Sequence, residues 1–97
     1  MSVIIKPGLL EWDEFVVEPS GLLLFVARGP FGLDVMQERG HWRWSGGDGR
    51  VRSPDTYATH LDAIAAAEAW AVQDTIDRMH ALAGGERRLR AENDGEP

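Results

Sequence analysis

Apolar and polar residues follow a strand-like rhythm through the first half of this chain and a helical period afterwards. Leu9–Val17 mixes aromatic and β-branched residues with dense charge and reads as a strand. Glu18-Pro19-Ser20-Gly21 is a turn signal, and Leu22–Arg28 is a near-continuous apolar run that reads as a second strand. Gly29-Pro30 is the next turn, with glycine first as a type II′ hairpin requires. Phe31–Glu38, His41–Ser45 and Arg50–Ser53 follow as strands, separated by Arg39-Gly40 and by Gly46-Gly47-Asp48-Gly49. Connections this short join antiparallel neighbours, so the pattern predicts a β-meander of four to five strands.

The register can be built from the turns. Closing a hairpin on Arg39-Gly40 sets Glu38 opposite His41, and closing the glycine-rich turn sets Ser45 opposite Arg50. Leu33, Val35, Trp42, Trp44 and Val51 then share one face, while Asp34, Glu38, His41, Arg43, Arg50 and Arg52 share the other. Agreement of three strands on one apolar face is what a half-buried sheet requires. A two-residue Gly29-Pro30 turn adds Leu22, Leu24 and Val26 to the apolar face. It sends Leu23, Phe25 and Ala27 to the wet face, where Leu23 and Phe25 could support oligomerisation.

Thr59-x-x-Asp62 is a capping box, and Thr59–Ala83 is rich in alanine with no interruption before Gly84-Gly85. On a helical wheel Leu61, Ile64, Ala65, Val72, Ile76, Met79 and Leu82 form an apolar stripe that would cover the sheet. The opposite stripe holds Ala63, Ala66, Trp70, Asp74, Asp77 and Ala81. Trp70 on a face expected to be solvated marks a candidate partner contact. Glu68 sits at the edge of the apolar stripe, with its carboxylate expected to reach water or a sheet arginine. The fold class is therefore α+β: an antiparallel β-meander with one C-terminal helix packed on one face.

Length and charge refine this picture. Ninety-seven residues make one domain, here residues 1–85, followed by a charged tail, 86–97, expected to be disordered. The absence of cysteine excludes disulfides and thiolate metal sites. The N-terminal apolar run is too short for a signal peptide and nothing approaches a membrane span, so a cytoplasmic location is expected. The net charge of −6 disfavours nucleic acid and favours basic partners.

Candidate chemistry is sparse. His41, His60 and His80 show no metal-ligand spacing. Ser20, Ser45 and Ser53 lie in or beside turns without a nucleophile elbow. The glycine-rich turn lacks the Lys-Ser/Thr of a phosphate loop. Arg39, Arg43, Arg50 and Arg52 interleave with Trp42 and Trp44, but alternation puts arginines and tryptophans on opposite faces. Arg43 and Arg52 are expected opposite each other, balanced by Asp34 and Glu38. No enzyme and no cofactor are expected.

Leu10-Glu11-Trp12, Gly29-Pro30-Phe31-Gly32, Gly40-x-Trp42-x-Trp44 and Ala65–Ala69 together resemble short uncharacterised phage and prophage proteins, over about residues 9–83. That resemblance implies a mobile-element setting, in which small acidic proteins include anti-CRISPR inhibitors of host defence complexes. The expectation is a non-enzymatic module that binds a basic protein surface, such as that of a CRISPR effector complex. It would do so through Ala66, Trp70, Asp74 and Asp77, with Glu11, Asp13 and Glu14 on the first strand. The alternative is an assembly protein that oligomerises through its sheet. A homodimer through the Asp74 and Asp77 stripe would juxtapose like charges.

Overall fold

The computed structural model describes the backbone of residues 3–94 and the side chains of residues 3–83. One antiparallel sheet holds six strands in chain order: β1 (Val3–Ile5), β2 (Trp12–Val17), β3 (Leu22–Ala27), β4 (Asp34–Glu38), β5 (His41–Gly46) and β6 (Val51–Arg52). One helix, α1 (His60–Asp94), follows and packs on β4 and β5. The architecture is α+β, with six strands rather than four to five. The additional strand is β1, three residues whose Ile5 faces Trp12.

The β4–β5 hairpin has the expected register, Glu38 facing His41 and Val35 facing Trp44. Arg39 and Gly40 both adopt positive φ, as the tight turn demands. Between β5 and β6, Ser45 faces Arg52 rather than Arg50. This slip of two residues preserves the faces, but it separates Arg43 from its expected position opposite Arg52. Arg43 lies instead 3.8 Å from Glu38, and Ser45 donates to Asp34 at 2.7 Å.

The β3–β4 connection departs by a single residue, with a larger effect. Leu24 faces Met36 and Phe25 faces Val35, so Leu23, Phe25 and Ala27 lie on the helix side. Leu22, Leu24 and Val26 lie on the opposite side, reversing the expected assignment of this strand. The cause is Gly32, at φ +61°. It lengthens the connection, and the amide of Ala27 reaches past it to the Leu33 carbonyl. The loop is pinned from below, because Gly47 and Asp48 amides donate to the carbonyls of Phe31 and Gly32. A Cβ on Gly32 would collide with the Asp48 backbone.

The core lies between the sheet and the first half of α1. Trp12, Phe25, Leu33, Val35, Trp42 and Trp44 meet Ala63, Ile64, Ala67 and Ala71 there. His60 lies flat on Phe25, centroids 4.9 Å apart, and tilted against Trp42. Thr59 caps the helix, its hydroxyl accepting from the Asp62 amide at 3.1 Å. Glu68 is 5% exposed and pairs with no arginine among the described residues. Its Oε2 accepts from the amides of Leu9 and Leu10 at 2.8 and 2.9 Å, tying the β1–β2 connection to the helix. Gly8 is required beside it, since a Cβ would strike Oε1.

The helix does not stop at Gly84-Gly85 but continues to Asp94. Glu86–Ala91 are strong helix formers, which offsets the cost of about 1 kcal/mol per glycine. Residues 95–97 of the expected tail lie outside the described residues. The molecule measures 67 × 26 × 22 Å, with a radius of gyration of 18.1 Å. A compact chain of this length would have a radius near ~12–13 Å; the helix extends well past the sheet.

Candidate interaction surface

The helix meets the sheet in a different phase from the one expected. Its buried positions are Ala63, Ile64, Ala67, Glu68 and Ala71, with His60, Trp70 and Asp74 half-buried beside them. Leu61, Ala65, Val72, Ile76, Met79 and Leu82, expected to cover the sheet, are exposed. The reason is steric. Trp42 and Trp44 already fill the space above the sheet, and only alanines let the helix backbone come close enough to pack on them.

Trp70 is consequently not a free anchor. Its ring packs on Trp44, centroids 5.6 Å apart, and lies over the backbone of Gly46. A Cβ at Gly46 would run into the six-membered ring of Trp70. Gly46 is thus a seat for Trp70, and the expectation that this residue stands on a solvated face is corrected. The outer edge of Trp70 borders a groove of about 310 Å³ where the helix leaves the sheet. Phe31, Arg50, Arg78 and Met79 also line it.

The other expected contact residues fall into two groups. Ala66 is half-buried and packed against the core. Asp74 is half-buried and bonded to Arg78 at 3.0 Å; Asp77 is exposed and accepts from Gln73 at 2.9 Å. On β2, Asp13 takes the Arg28 guanidinium in a two-pronged contact at 3.0 and 3.1 Å, and Glu11 lies 3.7 Å from it. The hydrogen bond that Arg28 donates to Asp13, and then the Asp13 charge, raise the Arg28 pKa above its ordinary value. Arginine is charged at any working pH, so no pH dependence follows. Glu14 is half-buried between Val3 and Phe25 on the helix side of the sheet. Asp13 points to the opposite side, so these acids do not form one patch.

The reversal of β3 creates a surface absent from the expected register. Pairing aligns Phe15, Leu24 and Met36 in one row and Val17 with Leu22 in the next. Val26 and Ile4 flank Asp13 in a third. All seven apolar residues lie on the side of the sheet away from the helix. Ile4, Phe15, Val17, Leu22 and Met36 are exposed, and Leu24 and Val26 half-buried. Towards β5 and β6 the same face turns polar, with Asp34, Glu38, Arg43 and Arg52. The signal for this surface was Gly32, the second glycine of the Gly29–Gly32 loop, whose positive φ adds the residue that flips the strand.

Among the described residues, no three metal-ligating side chains converge and no helix is long and apolar enough to cross a membrane. No protein family matches the chain, and no curated protein or solved structure matches it.

Proposed function

We propose that the protein is a non-enzymatic binding module that acts by contact with another protein, and that its contact surface is the open face of β1–β4. The carrying observation is the apolar band of Phe15, Val17, Leu22, Leu24 and Met36 on the sheet face that the helix leaves uncovered. A two-layer domain buries one sheet face and ordinarily wets the other. A contiguous apolar band on the second face supports a partner. The salt-bridged Asp13–Arg28 pair at its edge supplies a polar rim, as contact surfaces have. The narrower reading, inhibition of a basic defence complex, draws on the net charge of −6 and on the phage-protein resemblance.

Leu24→Lys tests the proposal, because it places a charge in the centre of the band without disturbing the helix-side core. In affinity capture from host lysate supplemented with CRISPR effector complexes, the wild type is expected to enrich a protein that the variant does not. The variant's thermal midpoint should stay close to wild type. Equal capture by both proteins removes the sheet face from consideration. Capture of a protein other than an effector complex removes the narrower reading alone.

A further inference from the structure

The outer flank of α1 carries a second unpartnered feature, independent of the sheet face. Ala65, Ala69, Val72, Ile76, Met79 and Ala83 recur at alternating spacings of four and three, and every one is exposed. That is the heptad spacing of a coiled-coil seam. Leu61 borders it at one end, where the next seam position is Asp62, and Leu82 borders it at the other, with Met79 63% and Leu82 72% exposed. Over Ala65–Ala83 the seam is about 28 Å long at a rise of 1.5 Å per residue.

We infer that a second copy of this chain covers the seam, with the two α1 helices antiparallel and crossing near Asp74. Reversal about this point sets Val72 against Ile76 and Ala69 against Met79 of the second copy. Ala69 then meets the large Met79, as close packing requires, and Ala65 meets Ala83 at the two ends. A parallel pair would instead stack Met79 on Met79 and leave Ala69 facing Ala69. Charge permits a second copy on this flank. Gln73, Thr75 and His80 flank the seam, whereas Asp74, Asp77 and Arg78 lie away from it.

The helix gives a further reason for a second copy as the occupant. Beyond Thr75 it leaves the sheet, contains two consecutive glycines and still continues to Asp94. Most helical stability in proteins comes from tertiary packing of a helix face rather than from propensity, and glycines weaken a free-standing segment further. A second helix alongside supplies the missing packing. Gly8 and Leu9 of the β1–β2 connection border the seam at Ala65, Ala69 and Val72, and both open sheet faces, on the far side of each sheet from α1, stay available.

Sedimentation velocity of the full chain across a hundredfold concentration range tests the inference. The wild type is expected to shift to twice the monomer mass as concentration rises, and Ile76→Glu to remain monomeric with unchanged tryptophan fluorescence. A wild type monomeric throughout overturns the inference, as does a dimer that persists in Ile76→Glu. A dimer abolished by Leu24→Lys but not by Ile76→Glu assigns self-association to the sheet instead. Orientation is read with single cysteines, since the chain has none of its own. Ala69→Cys mixed with Met79→Cys should oxidise to the mixed dimer. Efficient disulfide formation by Ala69→Cys alone would mean a parallel pair and overturn the assigned geometry.

Discussion

Gly46 and Trp70 act as one unit, although 24 positions separate them in the chain. The glycine has no side chain, so the indole can rest on the strand backbone and against Trp44. Trp70→Ala should therefore lower stability, by about 2 kcal/mol for a half-buried tryptophan. Gly46→Ala should cost about 2 kcal/mol by overpacking. Chemical denaturation of both variants and of the double variant checks the coupling. The Gly46→Ala cost should largely disappear in the Trp70→Ala background, and strict additivity would mean that the two do not share a site. Sequence periodicity concealed this pairing. A tryptophan beside aspartates on an alanine-rich stripe suggests solvent, whereas the alanines mark the closest approach of helix and sheet.

Each element was legible to the degree that its local chemistry determined it. The β4–β5 hairpin is set by a two-residue turn, and its register and faces follow directly from Arg39-Gly40. Strand β3 is apolar on both sides, so alternation could not orient it, and one extra residue at Gly32 decided the matter. The helix was recognisable from Thr59 onward, but its phase was not. The larger apolar residues, Val72, Ile76, Met79 and Leu82, occupy the outer flank, and the stripe that meets the tryptophans is mostly alanine. Hydrogen exchange can separate the two halves of this helix. Amides of residues 60–74, packed on the sheet, should be protected at every concentration. Those of residues 80–94 should exchange rapidly in dilute protein and slow as concentration rises. Protection of the second half that is independent of concentration would show that it is supported within a single chain.

At the scale of the whole molecule, one thin layer of helix covers one face of a sheet that is apolar on both. The helix shields Trp42 and Trp44, while the band around Leu24 remains open. Sheet edges are handled more economically than faces. β1 is only three residues long, and β5 is followed by β6 and then by a bridge in which Trp42 and Tyr57 exchange two bonds of 2.8 Å. Short, interrupted edges discourage strand-to-strand growth between molecules, so contacts with other proteins are directed to the faces and to the outer flank of α1.

The strand order β1 to β6 also has a temporal meaning. Every strand pairs with the one made just before it, so the sheet can assemble stepwise as the chain leaves the ribosome. Such local topology favours rapid folding. The covering helix is synthesised after the sheet, and until it arrives both broad sides of the sheet expose aromatic and aliphatic residues. Residues 1–58 produced alone should therefore accumulate as aggregate, and adding the remainder of the chain in the same polypeptide should restore solubility, as measured by the soluble fraction after expression. A soluble, monomeric 1–58 fragment would show that the tryptophan-bearing side can shelter itself. Synthesis of this protein thus passes through an interval in which a nascent sheet is vulnerable, and translation of α1 brings that interval to an end.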